Sequence, residues 1–529
     1  MNAFKTVLII CLALLATGLM ADAANLADPA STPIETTQAR DYPAAPRFVA
    51  EWEPAQGAIV RYPLGQPYNL LANISQQTKL YVIVTAGSQS AATSNLSANG
   101  VNMSNVIFIN ATTDSYWVRD YGPWTIFDGG VMKIIDTDYN RPRPYDEVIP
   151  VTIANFLGLD YYFMPIVHTG GNIMCDGHEA AMSTHLVVEE NTNLTLAQVK
   201  NLMQQYLGVT DYQIYTDPNN TYIDHIDCWA KLLDVDKVII RSVPTSHPQY
   251  DEIEATVNEW EAKTSGYGTP YQIFRVYTPN NEPYTNGYIL NNNIYIPKVN
   301  NSNDAAAVAA YQAAMPGYTV TNYYYASYES TDALHCRINT VFDSQMIHVW
   351  HVPPSSATAN STIAINAEIS HSNPLAANTY VAYRHGASGE WQYADLAYVS
   401  GEVWTAEVPT PQYGETLYYY ILVTDTTNRT TKLPLCGAQD PFEILVDVNS
   451  LAVPDVAISY VSESGNFIQI EWNSVPNAVY YQVWVSDDPA GTFEFLGETT
   501  DTNWNDMDLS HDRRFYRVLA ADESYFSAK

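Results

Sequence analysis

From Phe48 to about Val352, short apolar strands alternate with amphipathic helical segments, and this alternation limits the folds open to the chain. The strand-like runs are "KLYVIVTA", "NVIFIN", "KVIIRSVP" and "NIYIP". Helical spacing of apolar residues occurs in "TLAQVKNLMQQYLG" and "QYDEIEATVNEWEAKTSG". Strands alternating with helices over about 300 residues predict an α/β domain, which we place at residues 46–352.

Beyond "HVPPSSATANST" the pattern changes to a strict two-residue alternation, which is typical of strands with one buried face. The alternating apolar residues are Ile363, Ile365, Ala367 and Ile369, and later Ile468, Ile470 and Trp472. We predict two all-β sandwiches, at residues 353–449 and 453–529. The stretch "WNSVPNAVYYQVWVSDDPAGTF" resembles fibronectin type III modules of bacterial secreted enzymes. We expect both sandwiches to serve attachment or spacing.

The N-terminus has the pattern of a secretory signal peptide. Lys5 precedes the apolar run "TVLIICLALLATGLM", and Ala21-Asp22-Ala23 provides a small-x-small cleavage site. The run is short for a membrane span. We expect residues 1–23 to be removed near Ala23, residues 24–45 to form a linker or propeptide, and the protein to be secreted, extracellular or at the cell surface.

The charge balance excludes some partners. The chain has 24 Lys and Arg against 57 Asp and Glu, a formal net charge of −33. Such a chain repels nucleic acid and anionic lipid and attracts cationic substrates. Outside the signal peptide only Cys175, Cys228, Cys336 and Cys436 remain, too few for a disulfide framework. A bridge between Cys175 and Cys228 is one alternative; unpaired thiols with a chemical role are the other.

The segment "TYIDHIDCW" at residues 221–229 combines two acids, an imidazole and a thiol. Its β-branched and aromatic residues favour an extended strand, in which side chains alternate between faces. His225 and Asp227 then share one face, as a general acid/base beside a carboxylate. Asp224 and Cys228 lie on the other face, so we interpret Cys228 as a packed, unreactive cysteine.

A reactive thiol then has to come from elsewhere, and Cys336 in "DALHCRIN" is the best candidate. It follows a polar turn and precedes a strand-like run, a position from which a side chain can face a cleft. A core cysteine at the start of a strand is the alternative interpretation. The same alternation predicts that His335 points away from the site.

The segment "SYWVRDYGPWTIFDGG" places Arg119 and Asp120 among aromatic residues. Core packing explains the aromatic residues but not the charged pair, because unpaired buried charge is costly. Asp120 therefore offers a second carboxylate to a cationic ligand, and Trp117 offers a ring for stacking.

In "YNRPRPYDE" two prolines hold the backbone extended, so Arg141 and Arg143 project from similar sides. Two guanidinium groups offered together predict an anion clamp. Surface salt bridges to Asp146 and Glu147 are the alternative. Together the segments provide a thiol, an imidazole, two carboxylates, an aromatic wall and two arginines. Paired carboxylates match the planar fork of a guanidinium, whose carbon is an electrophile for the thiol. The residues therefore predict hydrolysis of a guanidine.

Seven motifs in one order resemble the Porphyromonas-type peptidylarginine deiminases, relatives of the agmatine deiminases in the guanidino-group-modifying (pentein) superfamily. The motifs are "VAEWEPAQGAIVRYP", "WVRDYGPW", "NRPRP", "HTGGN…DG", "YIDHIDCW", "YTNGYILN" and "ALHCR". The resemblance covers about residues 46–352 and extends into the first sandwich, which it marks as immunoglobulin-like. It implies a five-bladed α/β pentein propeller, with the site at its centre and no metal or cofactor.

The resemblance also implies residue roles. Cys336 corresponds to the nucleophile, His225 to the acid/base, and Asp120 and Asp227 to the carboxylates that bind guanidinium. The remaining matches are Asn286 beside the nucleophile, Trp117, Tyr222 and Ile223 in the substrate slot, and Arg141 and Arg143 at the α-carboxylate of a C-terminal arginine. The chain departs from the family pattern at its C-terminus, where a fibronectin-like module replaces the expected sorting domain.

We therefore expect a secreted peptidylarginine deiminase that converts arginine, preferably C-terminal, in peptides or proteins to citrulline through a covalent thiouronium. Three alternatives stay open at this point. One is an agmatine or free-arginine deiminase, and another is a surface-binding protein with a degenerate enzyme domain. The third is a metal site built from Cys175, His178, His225 and Asp227, which the poor zinc spacing of "CDGH" disfavours.

Overall fold

The structure is a computed structural model that describes residues 42–446, 454–461, 467–475, 478–489, 491–508, 510 and 513–521. The predicted signal peptide and the predicted linker up to residue 41 lie outside the described residues. The last predicted linker residues are packed, since the backbone N–H groups of Ala44 and Ala45 donate to Asp128 Oδ1 at 3.0 and 2.8 Å.

The first part of the described chain is a mixed α/β region. Its strands are β1 (Pro46–Phe48), β2 (Ala55–Arg61), β3 (Lys79–Val84), β4 (Val106–Asn110), β5 (Trp124–Asp128), β6 (Val131–Tyr139), β7 (Tyr161–His168), β8 (Met174–Cys175), β9 (Ala180–Thr184), β10 (Asp211–Tyr215), β11 (Ala230–Asp234), β12 (Lys237–Ser242), β13 (Gln272–Tyr277), β14 (Tyr288–Leu290), β15 (Asn293–Lys298), β16 (Thr319–Tyr324) and β17 (Asn339–Phe342). Its helices are α1 (Tyr68–Gln77), α2 (Gln89–Ala98), α3 (Pro144–Glu147), α4 (Ile149–Leu157), α5 (Leu186–Glu189), α6 (Leu196–Leu207), α7 (Tyr250–Glu261) and α8 (Asp304–Ala314). Short 3₁₀ helices occur at Ala86–Ser88, Met103–Asn105, Gly170–Asn172, Ile226–Cys228, His335–Arg337 and, later, Gly437–Gln439.

These strands form five sheets, with orders β1-β5-β6-β7, β10-β9-β8, β11-β12-β13, β14-β15-β16 and β17-β2-β3-β4. Each sheet contains an antiparallel pair followed by a parallel partner reached through a helix, such as β11-β12 and then α7 and β13. In the first sheet β1 adds a second antiparallel pairing, with β5. The unit recurs five times although the sequence shows no repeat. In the fifth sheet β17 pairs with β2, with Asn339 opposite Ile59, so the two ends of the region share one sheet.

The sequence explains the helices that separate the parallel strands. Helix α6 begins with a capping box between Thr195 and Gln198, and it ends at Gly208, whose φ of 76° suits glycine. Its buried residues are Val199, Met203, Tyr206 and Leu207, which recur at helical spacing. This face packs onto the core that the neighbouring sheets share. The predicted helices at α6 and α7 are thereby confirmed.

The rest of the described chain contains further strands and no α-helix. The strands before residue 446 are β18 (His348–Trp350), β19 (Thr362–Ser370), β20 (Tyr380–His385), β21 (Gln392–Asp395), β22 (Ala397–Ser400), β23 (Val403–Pro409), β24 (Thr416–Thr424), β25 (Thr430–Leu433) and β26 (Phe442–Leu445). Those after residue 454 are β27 (Val456–Val461), β28 (Ile468–Trp472), β29 (Tyr480–Ser486), β30 (Glu494–Thr499), β31 (Asn503–Asp506) and β32 (Phe515–Ala521). Strand β18 pairs with β19, so this group of strands begins before the boundary predicted at residue 352.

Two findings concern the whole described chain. Within the described ranges, no helix is both long and apolar enough to cross a membrane. The four cysteines described, Cys175, Cys228, Cys336 and Cys436, are free and buried. The alternative of a bridge between Cys175 and Cys228 is therefore wrong for this structure.

Candidate active site

Each of the five sheets contributes to one cluster of polar residues through the turn that precedes its antiparallel pair. Asp120 precedes β5, Gly171 precedes β8 and Asp227 precedes β11. In the same way Asn286 precedes β14 and Cys336 precedes β17. The site is thus formed from five equivalent positions of the fold, far apart in sequence.

Cys336 lies in the 3₁₀ helix His335–Arg337 with 2% of its surface exposed. The side chain of Asn286 donates from Nδ2 to Cys336 Sγ at 3.3 Å. Its Oδ1 accepts the backbone N–H groups of His335 and Cys336 at 2.9 and 3.4 Å. The amide of Asn286 therefore fixes both the backbone and the sulfur of Cys336, which is the role expected for a residue beside a nucleophile.

The Cys336 thiol faces carboxylates, and Asp227 Oδ2 is 3.7 Å from Sγ. Burial raises the pKa of Cys336 well above its usual range, and the charges of Asp227 and Asp120 raise it further. These effects favour the protonated thiol over the thiolate. A cation placed between the carboxylates would cancel those charges and favour the thiolate.

His225 and Asp120 form the opposite side of the cluster, with Nδ1 and Oδ1 4.0 Å apart. Burial lowers the pKa of His225 to about 4, against the opposing charge of Asp227, so the ring is neutral at pH 7. Burial, followed by the charge of Asp227, raises the pKa of Asp120 well above its usual range. Asp120 Oδ1 and His225 Nε2 are buried and have no hydrogen-bond partner among the described residues. Unpaired buried groups of this kind are costly unless a ligand completes them.

Gly171 keeps the space between these groups empty. A Cβ atom at this position would lie 2.7 Å from Asp120 Oδ1, 2.7 Å from His225 Nδ1 and 3.3 Å from Asp227 Oδ2. A side chain there would fill the space that the two carboxylates and the imidazole surround. The glycine of "HTGGN" therefore leaves a slot for a ligand against these three side chains.

His335, which the sequence interpretation turned away from the site, contacts it directly. Its Nδ1 lies 2.7 Å from Asp227 Oδ2, and its Nε2 lies 2.7 Å from Glu51 Oε2. Glu51 Oε2 also accepts from Lys231 Nζ at 2.5 Å. The prediction is wrong because residues 335–337 form a 3₁₀ helix rather than a strand. Glu51 was missed as well, although its place in "VAEWEPAQG" was a signal that could have found it.

The extended conformation predicted for residues 221–229 is also wrong. Asp224 has a φ of +49°, and Ile226–Cys228 form a 3₁₀ helix. Cys228 consequently does not face away, since its Sγ lies 3.6 Å from Asp227 Oδ1. His225 and Asp227 are brought together as predicted, but by a turn rather than by strand alternation.

Arg141 and Arg143 lie near this cluster in different surroundings. Arg143 donates to the hydroxyl of Tyr139 at 2.9 Å, and its Cζ lies 4.2 Å from the ring centroid of Trp117. The face of Trp117 predicted to stack on a ligand therefore holds an arginine of the protein itself. The charge of Arg141 lowers the pKa of both Asp120 and His225, opposing burial in the first and adding to it in the second, so Arg141 is close enough to act on both groups.

The alternative salt bridges of this segment do not form among the described residues. Asp146 is fully buried and instead accepts the backbone N–H groups of Asp114 and Ser115 at 2.7 and 3.1 Å. Glu147 accepts the backbone N–H of Tyr139 at 3.1 Å. Both acids thus accept backbone N–H groups instead of pairing with Arg141 or Arg143.

Tyr222 and Ile223, predicted to line the slot, lie on the loop that enters His225. Tyr222 is 83% exposed, whereas Ile223 packs partly against the core. Asp217 holds this loop by accepting the backbone N–H groups of Asn219 and Thr221 at 3.2 and 3.3 Å. Tyr222 is therefore free to contact a large ligand at the surface.

The metal site considered from the sequence does not form. Cys175 donates to the carbonyl of Val49 at 3.3 Å, and His178 stacks on Trp350 with ring centroids 3.8 Å apart. Neither residue joins His225 and Asp227. Across the described ranges, no three His, Cys, Asp or Glu side chains are grouped to hold a metal ion.

The assembled site can bind a planar cation and attack it. Two carboxylates and a neutral imidazole surround a slot, and a thiol with a fixed orientation lies beside one carboxylate. A guanidinium fits such a pair of carboxylates through several N–H donors in one plane.

Known proteins share both the sequence and the fold of this region. A protein of Yersinia pestis named "Putative agmatine deiminase" is 24% identical over 327 residues, which cover 51% of this chain and 88% of that protein. The structure named as agmatine deiminase of Enterococcus faecalis is similar with a TM-score of 0.50 and 17% identity, covering 57% of this chain and 96% of that one.

A further structure is described as the "Putative Arginine Deiminase from Porphyromonas gingivalis". It has a TM-score of 0.50 and 17% identity, covering 56% of this chain and 99% of that one. At these identities the two structures show the deiminase fold. Residues 47–338 match the family of Porphyromonas-type peptidyl-arginine deiminases, and the chain belongs to this family.

Proposed function

We propose that the protein is a peptidylarginine deiminase, which hydrolyses the guanidinium of peptidyl-arginine, preferably at a C-terminus, to citrulline and ammonia. One observation carries the proposal. The slot that Gly171 leaves empty is bounded by Asp120 Oδ1, His225 Nδ1 and Asp227 Oδ2, and the Cys336 thiol lies against Asp227.

Binding is the first step. The guanidinium donates to Asp120 and Asp227 and supplies the partner that Asp120 Oδ1 lacks. Asp120 has a raised pKa in the empty site because of burial and the charge of Asp227. A bound cation offsets both effects, so substrate and ionised carboxylates stabilise one another.

Attack by sulfur follows. The thiol proton of Cys336 passes to neutral His225, and the thiolate forms a bond to the guanidinium carbon. The resulting imidazolium gives that proton to the departing nitrogen, and ammonia leaves as the carbon–nitrogen bond breaks. The product on the enzyme is a thiouronium, and His225 is neutral again. Because burial lowers the pKa of His225 to about 4, its imidazolium holds this proton weakly and gives it up readily to the departing nitrogen.

Hydrolysis of the thiouronium is the last step, and in it His225 acts first as a base. His225 takes a proton from water, and the oxygen attacks the thiouronium carbon. The carbon–sulfur bond then breaks, and Cys336 leaves as the thiolate and takes up the proton held by His225. The second proton of the water is lost from the new hydroxyl group to solvent, where the released ammonia becomes ammonium, and neutral citrulline remains. Asn286 Nδ2, 3.3 Å from Sγ, donates to the sulfur each time negative charge develops on it.

The two arginines support a peptide substrate with a free carboxylate. Arg143 is held by Tyr139 and Trp117, so its guanidinium is already ordered before binding. Arg141 is close enough for its charge to act on Asp120 and His225. A carboxylate between the two would pair with both cations.

Agmatine is the second candidate, favoured by the names of the relatives. Agmatine carries an amine where peptidyl-arginine carries its backbone. Arg141 would repel that amine, whereas Glu190, which lies close enough to sense the charges of Arg141 and Asp224, would attract it. The preferred substrate therefore depends on whether Arg141 or Glu190 contacts the end of the ligand remote from the guanidinium.

We also propose an architecture and a location that accompany this activity. The five sheets are the blades of a pentein propeller, and the two groups of strands after β17 are an immunoglobulin-like and a fibronectin type III-like sandwich. The predicted signal peptide supports export, and the net charge of −33 supports attraction to basic peptides. The sandwiches serve attachment or spacing.

A substrate panel tests the proposal. The protein is incubated with agmatine, free arginine, and peptides with internal or C-terminal arginine, and the ureido product and ammonia are measured. The result expected is the highest kcat/KM on C-terminal arginine. Preference for agmatine supports the second candidate, and no turnover of any guanidine overturns both.

A further inference from the structure

One turn of the chain carries both ends of the proposed substrate site. Asp120 bounds the guanidinium slot, and Trp117, three residues earlier, holds Arg143 against its ring. The backbone N–H groups of Asp120 and Tyr121 donate to the carbonyl of Trp117 at 3.0 and 3.3 Å, which closes the turn. The spacing between the slot and this arginine is therefore set within a single turn.

The same turn is tied to the segment that carries the nucleophile. The backbone N–H of Arg119 donates to the carbonyl of Cys336 at 3.1 Å. The side chain of Asn339, at the start of β17, donates from Nδ2 to the carbonyl of Val118 at 3.0 Å. The turn therefore has a fixed position relative to the Cys336 backbone.

At its other end the turn is tied to the arginine segment through Asp146, which is 0% exposed. Asp146 Oδ1 accepts the backbone N–H groups of Asp114 and Ser115 at 2.7 and 3.1 Å, and Oδ2 accepts the Ser115 hydroxyl at 2.6 Å. The backbone N–H of Asp146 donates to the carbonyl of Arg143 at 3.1 Å. Residues 115–121, which we call the strut, thus connect the arginine segment with the nucleophile.

We propose that the strut fixes the reach between the two arginines and the guanidinium slot, so that the site selects side chains of the length of arginine, with Asp146 as the positioning residue. The inference rests on the proposed function, because it takes Arg141 and Arg143 as the groups that bind the substrate carboxylate. Asp146 does not touch the substrate. It acts through the strut.

Selection by length follows from the way in which both ends are held. Arg143 donates to the hydroxyl of Tyr139 at 2.9 Å and lies 4.2 Å from the ring centroid of Trp117, so it cannot follow a longer or shorter ligand freely. A methylene more or less displaces one end of the ligand by about 1 Å. Either the carboxylate or the guanidinium then loses its contacts. A change of one methylene in a fitted pocket costs about ten- to two-hundredfold.

A second buried carboxylate provides a matched control for Asp146. Asp425 is 1% exposed, and its Oδ1 accepts the backbone N–H groups of Thr427 and Arg429 at 2.8 and 3.0 Å and the Thr427 hydroxyl at 2.7 Å. The donors are of the same kinds as those of Asp146. Asp425 lies between β24 and β25, outside the α/β region, so its loss should affect stability but not ligand length.

Binding to the Cys336→Ala protein tests the proposal without any turnover. Calorimetry gives the Kd of peptides that end in arginine, in homoarginine, which is one methylene longer, or in norarginine, which is one shorter. Arginine should bind at least about tenfold more tightly than either homologue. The ratio of these affinities, rather than any single affinity, reports on the strut.

Variants at Asp146 in the same background separate reach from folding. Asp146→Ala should reduce the ratio to within about threefold, because the arginine segment can then shift to suit either homologue. Asp146→Asn keeps an oxygen for the two N–H groups and an amide that can donate to the Ser115 hydroxyl, so it should retain the ratio. Asp425→Ala should retain it as well, while lowering the free energy of unfolding. Should Asp146→Ala fail to fold, Ser115→Ala is the milder variant, and it should lower the ratio at least about threefold.

Two outcomes overturn the proposal. One is equal binding of the three peptides by the Cys336→Ala protein. The other is an Asp146→Ala or Ser115→Ala protein that binds all three more weakly and keeps the ratio, as a general structural defect would give. Length-selective binding without turnover of any guanidine in the unaltered protein would refute the proposed function and leave the strut in place. Turnover of agmatine without binding of arginine peptides would refute the strut and leave a deiminase.

Discussion

Cys228 Sγ lies 3.6 Å from Asp227 Oδ1, which is the carboxylate oxygen that His335 does not contact. The sulfur of Cys336 approaches the other oxygen at 3.7 Å, so one carboxylate has a thiol near each of its oxygens. Burial, followed by the charge of Asp227, raises the pKa of Cys228 well above its usual range. Only Cys336 has the Asn286 amide directed at its sulfur. The two thiols are therefore neighbours with different chemistry.

Replacement of each cysteine should separate these roles. Cys336→Ala should abolish turnover, because no other group can form the covalent intermediate. Cys228→Ala should keep kcat within about tenfold and lower the free energy of unfolding by about 1 kcal/mol through the lost packing. Citrulline formation and denaturant unfolding measure the two effects. An active Cys336→Ala protein would contradict the assignment.

Gly171→Ala should block the slot without unfolding the protein. Its Cβ would lie 2.7 Å from Asp120 Oδ1 and from His225 Nδ1, in the slot that we propose for the guanidinium. We expect kcat/KM to fall by more than about a hundredfold, a loss of roughly 2.7 kcal/mol of transition-state stabilisation. Gly87→Ala is the matched control, since its Cβ would meet nothing within 4 Å. Equal activity of both variants would show that the slot lies elsewhere.

Arg141→Ala should discriminate between substrates. A charge-assisted contact to a partly buried carboxylate contributes about 1.5–3 kcal/mol, so kcat/KM on C-terminal arginine peptides should fall about ten- to a hundredfold. Agmatine has no carboxylate, so its turnover should be unchanged or faster. Lys200→Ala, which removes an exposed cation from α6, is the control for net charge.

Amidation of the peptide C-terminus gives an independent check on the same contact. It should reproduce the Arg141→Ala loss in the unaltered protein, and the two changes together should not add, because they remove one interaction. Equal rates on amidated and free-acid peptides would show that Arg141 and Arg143 do not bind the substrate carboxylate and are ordinary surface residues.

Stability should depend on the buried carboxyl of Asp176. Burial raises its pKa from 3.8 to about 7, against the backbone N–H groups of His178 and Ala180 that lower it. The folded protein holds the proton of Asp176 more tightly than the unfolded chain does. The stabilisation that comes from this proton is therefore complete below pH 3.8 and is lost as the pH rises to about 7. The difference between the two pKa values corresponds to about 4 kcal/mol.

Asp176→Asn removes this titration while keeping an acceptor for the two N–H groups. The variant should match the unaltered protein at about pH 4 and unfold at a higher denaturant concentration at about pH 8. A difference in unfolding free energy that does not change between these pH values would refute the assignment.

Local patterns in the sequence predicted several of the regular elements with the correct type. The apolar run of β3 and the cap and spacing of α6 depend on nearby residues, and both form as expected. The five-fold recurrence of the sheet unit was expected only from the family resemblance and not from local patterns, because the units share a topology rather than residues. It follows from pairings such as β12 with β13, which only the folded chain reveals.

The candidate site likewise contains residues that the sequence predicted and residues that it missed. Cys336, His225, Asp120 and Asp227 were predicted as site residues from their types and motifs, and the structure brings them together. His335 was missed because strand alternation was applied where the chain forms a 3₁₀ turn. Glu51 was missed because no role was assigned to the acid of "VAEWEPAQG". At three residues per turn, neighbouring side chains no longer point to opposite faces. Short polar segments that precede a buried strand are therefore poor places to infer side-chain direction from alternation.

The pairing of β17 with β2 affects the order of events during translation. Strand β2 leaves the ribosome early, yet its antiparallel neighbour is the last strand of the α/β region to be synthesised, and Cys336 directly precedes it. A nascent chain therefore carries neither a finished sheet nor a complete site until that strand has emerged. Chains that end before residue 339 should be inert and should expose the edge of β2, which favours aggregation and proteolysis. Premature termination thus yields no partly active deiminase domain.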